Sequence, residues 1–363
     1  MCKTLFIAAT GQSDGKTTTS IGLYHCLRQQ NMNVGFIKPV GQQYVLVNDQ
    51  QVDKDSYLIE TIFQSMIDIK LTSPIAIPSG YTERYIENRQ EMKGVLRADL
   101  LESYKRVSQG KDFMIVEGTG HAGVGSVLDL SNAFVAKMLG AKVILLVPGG
   151  IGNTIDEVML NKALFDQEGV EVLGVIVNKV LESKYEKIKS ILTRGFANYG
   201  IHVLGFMPFK EELSSPNMFL LKEALKADVL NEGAYQFTNI RDVVVGAMTP
   251  HYVMSYLKKD SLLITPGDRE DVLLAALALS MLTPDNQLAG IILTGGILPR
   301  GNVTSLLLKS SIPIFHVSLD TYETAKKVSH LDVKITVNDK KKITTAKQLI
   351  EDYIDKDYIS SHL

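Results

Sequence analysis

Leu5-Phe6-Ile7-Ala8-Ala9-Thr10-Gly11-Gln12-Ser13-Asp14-Gly15-Lys16-Thr17-Thr18-Thr19 decides the fold. An apolar run enters a glycine-bearing turn, and the turn opens a helical pattern carried by Ile21, Leu23, Tyr24 and Leu27. A strand, a turn and a helix N-terminus in succession make an anion site, because backbone N–H groups converge there and the helix dipole favours negative charge. Gly11, Gln12, Ser13, Asp14, Gly15, Lys16, Thr17 and Thr18 are therefore the expected cradle of a nucleotide's phosphates. Lys16 adds a point charge on the outer phosphates, and the Thr17 hydroxyl is the expected magnesium ligand. Thr10 stands where such loops usually carry their first glycine, with Gly11 displaced by one. A ligand-free glycine turn is the plain alternative, and Gly-Lys-Thr between a strand and a helix weighs against it.

The chain has 363 residues, a length that predicts about two domains. A net charge of −2 lacks the basic excess of a nucleic-acid binder. Two cysteines, Cys2 and Cys26, provide no disulfide framework, and a reducing cytoplasm fits best. The first strand begins almost at once, which predicts no signal or transit peptide. The longest apolar run, Val272 to Leu282, is too short to span a bilayer and reads as a buried helix.

Apolar runs at Leu5–Ala9, Val34–Ile37, Phe113–Val116, Val143–Val147, Val172–Val177 and Val203–Phe206 read as buried parallel strands. Helical spacing between them predicts a doubly wound α/β sheet. Prolines and polar clusters from Leu71 to Val95 predict an irregular insertion beside the active face. The pattern breaks near Glu211–Asn217, and a smaller α/β block follows. Its expected strands are Val243–Val245, Ser261–Ile264, Gly290–Leu293 and Ile312–Val317. The expected boundaries are 1–212, a junction at 213–236, 237–335, and a tail at 336–363 with one helix, Ala346–Ile354. Such a tail helix fits a packing or oligomer contact, and a homo-oligomer is expected.

In doubly wound sheets ligands gather at the C-terminal ends of strands. Lys38, in Lys38-Pro39-Val40-Gly41-Gln42, is placed there to stabilise a transferring phosphoryl group, or else is a solvated surface lysine. Glu117, in Val116-Glu117-Gly118-Thr119-Gly120, is the expected second magnesium ligand, or else a turn acid. Asp53 reads as a helix cap before Tyr57–Ile67, and Asp55 as the better metal candidate.

These elements together resemble the dethiobiotin synthetase-like P-loop ATPase domain, which also forms the N-terminal part of many bacterial phosphate acetyltransferases. The resemblance covers roughly residues 1–210 and implies ATP and Mg²⁺ as ligands. It implies that Lys16 and Thr17 hold phosphates and metal, that Lys38 supports phosphoryl transfer, and that Glu117 and Asp55 bind the metal. It further implies that Asn178, in Val175-Ile176-Val177-Asn178-Lys179, reads the base beside Val203-Leu204-Gly205-Phe206-Met207-Pro208. The chain departs from the synthetase at Gly41-Gln42-Gln43, where small hydroxylated residues would hold substrate, and in the insertion after Leu71. Dethiobiotin synthesis is not expected on that account.

In the second block, Thr265-Pro266-Gly267-Asp268-Arg269 and Thr294-Gly295-Gly296 are strand-then-loop elements able to share a pocket. Read alone, Asp268 is the N-cap of a helix over Arg269–Leu282, and Arg269 a bidentate anion partner. Both elements resemble the DRTGG domain, which implies a regulatory or ligand-sensing role. Asp268, Arg269, Thr294, Gly295 and Gly296 are accordingly the expected effector site for a small molecule of unknown identity. Acetyl transfer would need roughly 300 further residues, so this chain alone is not expected to perform it. The leading expectation is an ATP- and Mg²⁺-binding cytoplasmic sensor with no nucleic-acid or membrane partner. The alternatives are an ATP-dependent ligase for a small carboxylate or amine, and a partner subunit of a separate acetyltransferase.

Overall fold

A computed structural model describes residues 2–234, 237–283 and 287–363; residues 235 and 236, the end of the expected junction, lie outside the described residues. The chain divides into two compact units, Met1–Lys210 with Ile335–Leu363, and Glu211–Lys334.

The first unit is built on six parallel strands in the order Val203–Pro208, Val172–Val180, Lys142–Pro148, Lys3–Ala9, Phe113–Glu117, Val34–Ile37. Leu5 through Ala9 are wholly buried, which is why this strand reads as an unbroken apolar run rather than an alternating one. The chain fills one side of Lys3–Ala9 first and the other side later, so the sheet's order reverses at this strand. The loop after it therefore opens at the switch point, where a doubly wound sheet leaves a crevice.

The stretch from Leu71 to Val95 is more regular than expected. Ile75–Ala76 pairs with Val40–Gly41, and helices run over Tyr81–Glu87 and Arg89–Ser108. The second helix buries Leu96, Leu100, Ser103 and Val107, one face at helical spacing, among charged neighbours that mask it in the sequence. The tail carries two helices rather than one, Lys340–Tyr353 and Lys356–His362. The first lies on the helix Lys16–Gln29 and on strand Val203–Pro208. At Gly22 an added Cβ would fall 2.1 Å from Ile350 Cγ1, so glycine permits this close helix crossing. Gly205 serves the same end, since a Cβ there would lie 2.1 Å from the Tyr353 carbonyl oxygen.

The second unit has a five-stranded sheet ordered Asp228–Asn231, Ile314–His316, Gly290–Thr294, Ser261–Pro266, Asp242–Val245. Only the first pair is antiparallel. Leu263, Ile291 and Leu293 face a cluster with Val253, Leu273 and Val303, while Leu262, Ile264 and Ile292 face Met218, Leu221 and Val328. Helices thus cover both faces, each fully buried aliphatic side chain contributing roughly 1.5–3 kcal/mol. Among the described residues no helix is long and apolar enough to cross a membrane.

Candidate functional site

Gly15 is the N-cap of the helix Lys16–Gln29 and holds the loop's turn with φ of 100°. The loop is braced from beneath. Asn178 Nδ2 donates to the Asp14 carbonyl at 2.8 Å, and Lys179 Nζ donates to the Ser13 carbonyl at 2.8 Å. Asn178 Oδ1 meanwhile accepts from the Lys179 backbone N–H, so this side chain is engaged with the loop's support. The Thr10 hydroxyl lies within hydrogen-bond distance of Asp14 Oδ2 and Glu157 Oε2, at 3.2 and 3.0 Å. Burial pushes the Asp14 carboxyl above the usual carboxylate range. Lys16 folds back over the loop, its Nζ donating to the carbonyls of Gly11 at 3.0 Å and Gly120 at 3.3 Å. Burial lowers its pKa, with the Glu117 charge opposing.

The neighbouring strand ends supply the charge. Glu117 closes strand Phe113–Glu117 and is buried. Its Oε1 accepts from the Thr17 hydroxyl at 3.0 Å and its Oε2 from the Ser20 hydroxyl at 2.6 Å. Lys38, past the end of Val34–Ile37, is buried beside it, with Nζ 3.7 Å from Glu117 Oε1 and 3.1 Å from Asp53 Oδ1. Lys38 Nζ also donates to Asp55. Asp53 caps the helix Lys54–Phe63 by accepting from the Asp55 N–H at 2.8 Å, so its expected cap role and a contact with Lys38 coexist. That helix starts and ends earlier than the sequence spacing predicts.

One ammonium among three buried carboxylates leaves a surplus of negative charge. Burial alone would lower the Lys38 pKa, but Asp55, Glu117 and Asp53 together hold it above the ordinary lysine value. The surplus appears on the acids: burial raises both Glu117 and Asp53, and the Asp55 charge adds to each. Hard oxygen donors with net negative charge suit Mg²⁺. No group of three or more His, Cys, Asp and Glu side chains among the described residues is arranged to hold a metal by itself. Magnesium needs none, because it takes one or two carboxylates and completes its shell with phosphate oxygens and water. Thr17, Glu117 and Asp55 fit that use.

A small solvent-open groove is lined in part by Val40, Gln42, Ile77, Thr82, Thr119 and Val124, on the segments that follow Lys38 and Glu117. Asn132 shapes it: its Nδ2 donates to the carbonyls of Thr119 and His121, and its Oδ1 accepts from the Thr119 N–H. Ser20, Asn132 and Glu157 are site residues that the sequence reading missed. A serine inside one helix and an asparagine at the first position of another carry no local signal of what they face.

Next to Leu128 of the groove's lining, Asp129 accepts from Arg89 Nε and Nη2 at 2.7 and 2.6 Å and from the Tyr85 hydroxyl at 2.9 Å. The Arg89 hydrogen bonds hold the Asp129 carboxyl well below the usual carboxylate range. A depressed pKa stabilises the fold above the ordinary value near 4 and loses that contribution as pH falls below it. Asp129→Asn is accordingly expected to lower the urea midpoint at pH 7, and the gap to the wild type should narrow at pH 3. A gap that stays constant with pH would contradict the assignment.

In the second unit, Arg269 rather than Asp268 stands at the N-cap of the helix Glu270–Leu282, with no side-chain cap bond. The Arg269 guanidinium uses its donors inside the unit. It makes a bidentate pair with Asp271 at 2.9 and 3.1 Å and donates to the carbonyls of Gly246, Ala247 and Met248. Geometry gives it a clamp on the 246–248 loop. Thr294 is buried with its hydroxyl 2.7 Å from that of Thr321, and Gly295 and Gly296 follow with φ of 79° and 67°. Arg269→Ala is expected to cost about 1–2 kcal/mol in urea unfolding through the lost carbonyl bonds, with nucleotide affinity unchanged. A variant as stable as the wild type would remove the clamp.

A family described as an AAA domain matches residues 3–217, and a DRTGG domain matches residues 221–331. The phosphate acetyltransferase of Nitratidesulfovibrio vulgaris is 28% identical over 374 residues, covering 100% of this chain and 52% of the relative. That of Pseudomonas putida is 29% identical over 371 residues, covering 97% and 51%. The chain thus spans about half the length of the curated relatives it matches. Among solved structures, the septum site-determining protein MinD of Pyrococcus horikoshii with Mg-ADP aligns with a TM-score of 0.36 at 14% identity, covering 59% of this chain and 84% of that one. The CBS and DRTGG domains of the Clostridium perfringens pyrophosphatase regulatory region, complexed with diadenosine tetraphosphate, align with a TM-score of 0.28 at 16% identity, covering 44% and 76%.

Proposed function

The chain belongs to the AAA-domain family that matches residues 3–217, with a DRTGG domain after it, and from that premise we propose that it binds ATP with Mg²⁺ in the first unit and a small-molecule effector in the second. The reading assigns nucleotide binding to residues 1–212 and effector binding to 237–335, both in the cytoplasm. Backbone groups of Gly11 to Thr18 would hold the phosphates, with Lys16 on the outer ones. Thr17, Glu117 and Asp55 would hold the magnesium ion, which neutralises phosphate charge when bound. One observation carries this most. The helix that follows the loop sends two hydroxyls, Thr17 and Ser20, onto the buried Glu117 carboxylate, so loop and strand end form a single polar site.

A second reading, an ATP-dependent ligase, draws on the groove lined by Val40 and Thr119, each two residues along the chain from Lys38 or Glu117, as a place for an acceptor. Lys38 would then stabilise an acyl-phosphate or carbamoyl-phosphate. A third reading, a partner subunit of a separate acetyltransferase, draws on the matched relatives' being phosphate acetyltransferases. A thermal-shift screen of metabolites, with and without Mg·ATP and with ADP release followed, separates the first two, and affinity capture of an acetyltransferase would support the third. Sensing predicts a metabolite that stabilises the protein without ADP release. A metabolite that triggers stoichiometric ADP release would favour the ligase instead.

A further inference from the structure

We propose that Lys38 is a built-in counter-ion that a divalent cation displaces, and that Asp53 is the positioning residue that keeps hold of it. The proposal rests on the nucleotide reading above and concerns the regulation of the same site.

Lys38 Nζ touches Asp55, lies 3.1 Å from Asp53 Oδ1 and 3.7 Å from Glu117 Oε1, and none of the four side chains is more than 6% exposed. Two of these three carboxylates, Asp55 and Glu117, are the ones expected on magnesium. An ammonium and a divalent cation are both compact positive charges. On shared, desolvated oxygens they repel strongly, because water screens little there. The two positions exclude each other, so loading a divalent cation must move the ammonium off Asp55 and Glu117.

Asp53 stands apart from the expected ligand set. Its backbone N–H donates to Ser73 Oγ at 3.0 Å, and its Oδ1 accepts the Asp55 N–H at 2.8 Å, so helix cap and strand end fix it in place. Its Oδ2 is buried with no hydrogen-bond partner. Gly41 makes room for it, since a Cβ there would come within 2.7 Å of that oxygen. A lysine released by Asp55 and Glu117 therefore keeps one fixed carboxylate, with a second acceptor oxygen open. The exchange leaves the Lys38 ammonium with one carboxylate in place of three, and so with donors free for phosphate, only once the divalent cation is in place. Nucleotide without metal would meet a lysine already neutralised.

The test uses nucleotide-free full chain and Mn²⁺ followed by electron paramagnetic resonance. Lys38→Met should bind Mn²⁺ at least about tenfold more tightly than the wild type, because the competing charge is gone. Since that variant strips the cation from three buried carboxylates and can unfold, a second arm keeps Lys38. In ¹⁵N-lysine-labelled wild type, the Lys38 ammonium resonance, assigned by its loss in Lys38→Arg, should move with Mg²⁺ and not with Na⁺ of equal ionic strength. In Asp53→Asn saturated with Mg²⁺, the same resonance should lose its protection from exchange with water. Equal Mn²⁺ affinities, or a resonance that stays put while the metal is bound, overturn the counter-ion role. A protected resonance in Asp53→Asn overturns the positioning role. Mg·ATP binding by the wild type alongside those negatives leaves the nucleotide reading standing, whereas a wild type that binds neither Mn²⁺ nor Mg·ATP takes both down.

Discussion

Lys16→Ala is expected to weaken Mg·ATP binding by about a hundredfold, the loss of one charge-assisted phosphate contact of up to ~3 kcal/mol. Lys16 Nζ spends its hydrogen bonds on the Gly11 and Gly120 carbonyls and on no carboxylate. Truncation therefore breaks no hydrogen-bonded ion pair, and removal of a desolvated cation offsets part of the lost bonding. The urea unfolding free energy should change by less than about 1 kcal/mol. Calorimetric titration of the variant checks the affinity, and an unchanged dissociation constant would sink the assignment of the loop.

Gly15→Ala should act on both stability and binding, at a cost of about 2–4 kcal/mol. At φ of 100° any L side chain is strained. The added Cβ would also sit 2.2 Å from Asn178 Nδ2, which must then give up its 2.8 Å bond to the Asp14 carbonyl. The clash is with a short, buried side chain at the end of a core strand, so it cannot be relieved by swinging a flexible chain away. Urea unfolding at neutral pH measures the loss. A variant within 0.5 kcal/mol or so of the wild type would mean that the turn tolerates a different backbone, and the bracing by Asn178 would have to be abandoned.

The contrast between these residues explains what the sequence made legible. Leu5–Ala9 and Lys142–Pro148 are buried on both faces, so their apolar runs are unbroken and announce parallel strands. Gly15 and Lys16 are legible for a related reason: a left-handed turn before a helix demands glycine, and an anion demands the charge. Asp228–Asn231 escaped because only Val229 and Leu230 are apolar in that edge strand, and its pairing with Ile314–His316 is antiparallel and remote. Arg89–Ser108 escaped because its buried stripe is narrow and interrupted by charged residues and Gly94.

The site was legible where chemistry is local and opaque where it depends on approach. Lys38, Asp55 and Glu117 could each be picked out at a strand end or helix start, but nothing in the sequence states that one ammonium serves both of these carboxylates and Asp53 as well. Asp53 reads as a helix cap, and the cap is there; its contact with Lys38 belongs to the tertiary fold. Arg269 shows the reverse case. An arginine after a strand-end glycine reads as an anion partner, yet its fork is matched by Asp271 and three carbonyls of its own unit.

The central claim is that the loop after Lys3–Ala9 and the cluster around Glu117 form one Mg·ATP site. Isothermal titration of the wild-type chain with ATP, with Mg²⁺ present and then with Mg²⁺ removed by chelation, tests it most directly. The account predicts saturable one-to-one binding that weakens at least tenfold without the metal, in keeping with the loss of a ligand shared by phosphate and carboxylate. No saturable binding with Mg²⁺ present, or an affinity indifferent to the metal, would contradict it.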